Sequence, residues 1–223
     1  PVVVNGRIRK PGETDSFSFR GKKGQALSVE VQARRLGSPL DSWILLLNDR
    51  GEKIAGNDDM KGPAEGLLTH LADSALFCAL PEDGLYTLKV FDTQGKGGEE
   101  YAYRLRIGSP VPDFELRVTP SELNLPTAGS APLTVHVFRR DGFSGEIKLS
   151  FESPEPPGIS LDGATVPAGA DRVRMTLSAS GRAAGATLFP RLVGTATVGG
   201  KTLTRPALPA EEFMQAFIYP QLV

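Results

Sequence analysis

Ala26-Leu27-Ser28-Val29-Glu30-Val31-Gln32-Ala33-Arg34 is the stretch on which the fold turns. In an extended chain Leu27, Val29, Val31 and Ala33 share one side, and Ser28, Glu30, Gln32 and Arg34 the other. A period of two places one face against a core and the other in water, as in an antiparallel sheet. The pattern recurs around it. Tyr101, Tyr103, Leu105 and Ile107 alternate with Ala102, Arg104 and Arg106. Phe17 and Phe19 share a side of Thr14 to Arg20, and Tyr86, Leu88 and Val90 form another such set. Trp43 to Leu47 and Ala75 to Leu80 are apolar on both sides, which predicts central strands covered from both faces. Turn residues separate these runs at Asp49-Arg50-Gly51, Asp83-Gly84 and Gly95 to Gly98, where glycine supplies positive φ and Asp closes an Asx-turn. No stretch up to residue 108 shows a capped helical period, so this part reads as an all-β unit of about eight strands.

Ser109-Pro110-Val111-Pro112 breaks the alternation, and its two prolines favour an extended, stiff connector. Strand patterns resume at Phe114 to Val118, Leu133/Val135/Val137, Ile147/Leu149/Phe151 and Val173/Met175/Leu177. Ala186 to Val198, Lys201 to Arg205 and Phe213 to Tyr219 follow. Roughly seven strands over about 110 residues is the footprint of an immunoglobulin-like sandwich. The prediction is an all-β protein of two β-sandwich domains in tandem, residues 1–109 and 110–223.

Composition narrows the function classes. The chain of 223 residues carries 25 Lys+Arg against 26 Asp+Glu, so neither a polycation nor the charge excess needed for phosphate binding is visible. That argues against nucleic acid. The longest apolar run, Trp43 to Leu47, falls far short of the roughly 18–20 residues that span a bilayer. Pro1 to Gly6 has no charged leader or long apolar segment, and the absence of a starting Met reads as a piece of a longer protein. With one cysteine, Cys78, an intrachain disulfide and a thiolate zinc cluster both drop out.

A resemblance adds to this. Asn5-Gly6-Arg7-Ile8, Pro11 to Phe19, Lys23-Gly24-Gln25-Ala26-Leu27 and Gly37-Ser38-Pro39-Leu40-Asp41 appear in order. Gly56-Asn57-Asp58-Asp59, Leu80-Pro81-Glu82-Asp83-Gly84-Leu85-Tyr86 and Tyr101-Ala102-Tyr103-Arg104-Leu105 follow. Through these landmarks, over about residues 4–108, the first domain resembles the bacterial pre-peptidase C-terminal domain. The resemblance implies a jelly-roll-like sandwich serving as an accessory module of a secreted, periplasmic or cell-surface bacterial protein. Its relatives include the calcium-binding, collagen-binding modules of bacterial collagenases. The implied partners are neighbouring domains of the same polypeptide and extracellular protein or polysaccharide. The second half matches no family by eye and is immunoglobulin-like by pattern alone.

Calcium takes six to eight oxygens gathered from loops. Asp41, Asn57, Asp58, Asp59 and Asp73 lie at expected loop ends and form the candidate metal set. On the residues alone they read first as turn formers that close Asx-turns, and it is the resemblance that sets calcium binding level with that reading. The collagen-binding relatives draw part of their site from acids ahead of the domain, and Pro1 to Val4 holds none.

Catalytic constellations are sparse. His70 and His136 are the only histidines; His136 between Val135 and Val137 is expected to face outward, and both read as surface residues. Gly142-Phe143-Ser144-Gly145 is one residue short of a nucleophile elbow. Gly199-Gly200 reads as a hairpin turn and not a phosphate loop. Trp43 is expected in the core, with an exposed binding platform as the alternative. Arg34-Arg35 and Arg139-Arg140 are expected as solvated strand edges, and Cys78 as an inert core thiol. The resulting expectation is a non-catalytic module for binding, adhesion or spacing. The alternatives are a grooved carbohydrate- or protein-binding module, and a hydrolase.

Overall fold

The computed structural model describes residues 1–59, 73–126, 128–181, 185 and 187–210. Their contacts divide them into two units between Val111 and Pro112. The first holds β1 (Val2–Arg7), β2 (Thr14–Gly21), β3 (Ala26–Gln32), β4 (Ser42–Leu47), β5 (Lys53–Asn57), β6 (Ala75–Ala79), β7 (Gly84–Asp92) and β8 (Ala102–Gly108). They form two four-stranded antiparallel sheets, ordered β1-β8-β3-β6 and β2-β7-β4-β5. Leu27, Val29 and Val31 of β3 pack with Leu105 of β8, Ile44 and Leu46 of β4, and Tyr86, Leu88 and Val90 of β7. The alternation read along β3 therefore becomes one wall of a sandwich core. Burying each such side chain stabilises the fold by about 1.5–3 kcal/mol.

Two expectations change here. β6 lies at the end of its sheet, not in the middle. Its outward Phe77 is 52% exposed and Cys78 is half-buried at the core margin. In a two-sheet sandwich only one face of each sheet meets the core, so two apolar faces did not mean two covered faces. On β4 the inward residues are Ser42, Ile44 and Leu46, while Trp43, Leu45 and Leu47 lie half-buried on the outer face. Trp43 is thus outside the core, stacked on Phe91 of β7 with ring centroids 6.0 Å apart and planes 10° from parallel. The two are directly opposite in the strand register, the arrangement in which cross-strand aromatic pairs meet.

The second unit holds β9 (Asp113–Thr119), β10 (Ser130–Arg140), β11 (Ile147–Phe151), β12 (Ile159–Asp162), β13 (Thr165–Val166), β14 (Arg172–Ala179), β15 (Leu192–Val198) and β16 (Lys201–Pro209). They run β12-β14-β10-β9-β16-β15-β11-β13 in one curled sheet. β16 makes the curl possible. Its residues Lys201–Pro206 pair antiparallel with β15, and Ala207–Pro209 pair parallel with β9. The enclosed core includes Phe114, Leu116, Val135, Val137, Ile147 and Met175. Gly199 and Gly200, at φ 56° and 78°, turn β15 into β16, as the hairpin reading requires.

Corrections in this unit fall on charged and polar residues. His136 is buried, and its Nε2 lies 3.1 Å from Thr119 Oγ1. Arg139 is no solvated edge: it donates to the carbonyls of Gly145 at 2.7 Å, Ala170 at 3.0 Å and Pro167 at 3.1 Å. It also covers the Phe143 ring at 5.1 Å. Arg140 pairs with Glu115 at 2.7 Å. The strand expected from Ala186 begins at Leu192, and Phe189 ahead of it is 89% exposed. His70 and the strand expected at Phe213 to Tyr219 lie outside the described residues.

Candidate functional site

The acidic residues singled out above gather at one end of the first sandwich, where the chain leaves β3 and enters β4. Past β3 it makes a 3-10 turn, Arg34–Leu36, closed by Gly37 in the left-handed region. Asp73, wholly buried just ahead of β6, receives that turn. Its Oδ1 accepts the Ala33 amide at 2.9 Å and the Arg34 amide at 2.7 Å. Its Oδ2 accepts Arg35 Nε at 2.7 Å and, at 3.4 Å, the Arg35 amide. The Arg35 guanidinium reaches on to Glu30 Oε1 at 2.8 Å and the Val31 carbonyl at 3.1 Å. Burial opposes the Arg35 charge, yet its hydrogen bonds to the Asp73 and Glu30 carboxylates outweigh it and raise the pKa. Of the pair Arg34-Arg35, then, Arg34 is exposed and Arg35 is an internal strut.

Ser42 and Ser74, both wholly buried, continue the tether. Their hydroxyls are 2.8 Å apart and the Ser74 amide donates to Ser42 Oγ at 2.9 Å. Asn57 Oδ1 accepts the Ala75 amide at 3.1 Å. Asp41 lies on the other side of Ser42. Its amide donates to Asp92 Oδ2 at 3.0 Å, and its own Oδ2 accepts Gln94 Nε2 at 3.4 Å. Asp92 also caps the turn after β7, accepting the Gln94 and Lys96 amides at 3.1 and 2.8 Å. Asp58 accepts the Asp59 amide at 3.1 Å.

The structure therefore links Asp41, Asn57 and Asp73 through their chain neighbours, while their side chains serve separate turns. Asp73 does not suit a calcium ligand, because its lone pairs already receive chain amides and Arg35. Among the described residues no three of His, Cys, Asp and Glu stand together as a metal-holding group. Chemically the arrangement is a tether: a carboxylate saturated by hydrogen bonds has no lone pair to offer a proton or an ion. Sequence reasoning missed Arg35, Ser42, Ser74 and Asp92. Ser42 had a signal, since alternation puts it inward with Ile44 and Leu46. Asp92 had one too, three residues ahead of Gly95.

A second feature lies on the outer face of the sheet that carries β1. Asn5, Arg7 and Arg9 from the β1 side, Ala102 and Arg104 from β8, and Leu36 to Ser38 line an open groove of about 610 Å³. Arg104 Nε donates to Asn5 Oδ1 at 3.3 Å. Gly6 permits close packing beneath the groove, where the Tyr103 ring crosses it and its hydroxyl donates to Asp15. Burial, together with Asp15, raises the Tyr103 pKa.

No family model matches the chain. It is 39% identical over 82 residues to a probable subtilase-type serine protease of Deinococcus radiodurans; the match covers 36% of this chain and 10% of that protease. Among solved structures, a DUF4785 family protein of Legionella pneumophila aligns with 94% of this chain and 63% of its own, at 11% identity and a TM-score of 0.30.

Proposed function

We propose that this chain is a non-catalytic accessory part of a larger exported bacterial protein, serving in binding, adhesion or domain spacing. The observation that carries this is the proportion of the match: a β-sandwich protein resembles a short stretch, one tenth of the length, of a subtilase-type protease. The chain pattern that resembles the pre-peptidase C-terminal domain points the same way, and so does the use of buried Asp73 and Asp92 to hold turns. Calcium through Asp41, Asn57, Asp58 and Asp59, without Asp73, belongs to the same proposal. A melting temperature raised by calcium and lost in Asp58→Ala supports it, and identical curves with calcium and chelator remove it. For the accessory role the test is turnover. The purified chain is expected to leave fluorescent casein intact and to take up no fluorophosphonate probe. Hydrolysis or labelling would overturn the reading, and fractionation of the native host is expected to find the parent protein outside the cytoplasm.

The Trp43–Phe91 stack favours a second reading, a carbohydrate-binding module. Flat aromatic rings on a sheet face suit sugar rings, and here the pair lies half-buried on the outer face.

A further inference from the structure

We infer that the open edge of β1 and the arginine groove beside it bind an extended acidic peptide with carboxylates at every second residue. The inference stands on this edge alone and needs no protease parent. β1 ends its sheet and pairs only with β8 among the described strands, so its far edge presents unpaired backbone groups, the surface onto which an extended peptide adds as a strand.

Side-chain placement sets the ligand class. In the β1–β8 register Asn5 faces Arg104 and Arg7 faces Ala102, so Arg7 and Arg104 are diagonal neighbours on the outer face, about 7–8 Å apart at the backbone. Arg9 follows two residues on, and all three arginines are exposed. None of them forms an ion pair with a described carboxylate, and Glu100 is the one acid lining the groove. Three guanidinium groups without a described ion-pair partner, Arg104 holding Asn5 through Nε alone, leave donors that match carboxylates bidentately.

The other side of β1 differs. A smaller hollow of about 240 Å³ is lined by Val4 to Arg7, Arg9, Glu13, Asp15 and Phe17, so Arg7 and Arg9 border both hollows while Arg104 borders the groove alone. Both acids there are engaged: Glu13 accepts the Arg9 and Lys10 amides, and Asp15 the Tyr103 hydroxyl. Successive residues of an added strand point to opposite faces. Every second side chain would therefore meet the arginines of the outer face, and the residues between would lie over the hollow whose two acids are already engaged.

The test uses the full chain and a fluorescein-labelled peptide of alternating Glu and Ala, read by anisotropy at low salt. Saturable binding is expected, weakened by added salt because exposed charges are screened. A composition-matched peptide with Glu in one block and Ala in the other is expected to bind more weakly. So is an alternating peptide N-methylated along one edge. Arg7→Glu with Arg104→Glu is expected to cost at least about tenfold in affinity, the scale of losing charged hydrogen bonds. Both positions are exposed, so the variant should melt with the parent. No binding of the alternating peptide, or equal binding by block peptide or variant, overturns the proposal. Binding of a polyuronate oligosaccharide without the peptide overturns it too, and reassigns the groove to polysaccharide.

Discussion

Arg35 Nε donates to the wholly buried Asp73 Oδ2 at 2.7 Å, joining the turn that leaves β3 to the residue that introduces β6 across 38 positions of sequence. The guanidinium is itself mostly buried and shared with Glu30. A buried ion pair adds little beyond a well-packed apolar substitute, but removing one partner strands the other charge without solvent. The Asp73–Arg35 contact is therefore most sensitive to single substitutions.

Asp73→Ala leaves Arg35, the buried Ala33 amide and the part-buried Arg34 amide without their acceptor. The expected loss is about 3–5 kcal/mol, which lowers the melting temperature of the first unit by more than about 10 °C. Asp58→Ala removes one local turn bond and is expected to stay within about 0.5 kcal/mol. Differential scanning calorimetry of the two variants checks this, and an Asp73→Ala curve that overlays the parent would sink the tether reading.

Gly6 and Tyr103 give a second expectation. A Cβ on Gly6 would overlap the Tyr103 ring, which is fixed below by packing and by its bond to Asp15. Gly6→Ala is expected to destabilise by about 1–3 kcal/mol, the usual cost of overpacking. In a Tyr103→Leu background the ring is gone and the same change should cost less. Equal costs in the two backgrounds, measured by urea denaturation, would show that the ring is not the obstacle.

How much of this was legible depended on what each signal measures. Alternation at Leu27, Val29 and Val31 reports a half-buried sheet strand directly, and the core confirms it. Alternation cannot report a strand's place in its sheet or which of two apolar faces meets the core, which is why Ala75–Ala79 proved an edge while Trp43, on the internal strand β4, proved an outer-face residue. β12 and β13 escaped because four and two residues are too short for a period to show. The acids were visible as loop residues. What Asp73 does was not, since its donors Ala33, Arg34 and Arg35 come near only after the chain has folded. Likewise Arg139 reads as an edge charge until three carbonyls close around it.

Asp113 and Arg205 set an acid response in the second unit. Arg205 donates to both Asp113 oxygens, Nε at 3.0 Å and Nη2 at 2.8 Å. Burial alone would raise the Asp113 pKa, but the Arg205 hydrogen bonds and the Phe114 amide outweigh it and the pKa is lowered. A carboxylate that releases its proton more readily when folded stabilises the fold above its unfolded pKa, near about 3.9. That stability fades as pH falls through the lower folded value. Asp113→Asn should therefore be less stable than the parent at neutral pH and converge on it in acid. Melting curves from pH 7 to pH 2 whose difference does not shrink would contradict the pairing.

Trp43 is the single tryptophan of the chain, so its fluorescence reports the Trp43–Phe91 face without interference. If that face receives sugar rings, oligosaccharides should shift or quench the emission in a saturable way, because stacking displaces water from a half-buried indole. Phe91→Ala should weaken the response by removing the neighbouring ring while leaving the core face of β7, Tyr86, Leu88 and Val90, untouched. The acidic alternating peptide should leave the emission unchanged, since β1 and its arginines belong to the other sheet. A saccharide panel that never perturbs Trp43, screened to millimolar concentration, would reduce the stack to a cross-strand packing pair and remove the carbohydrate reading.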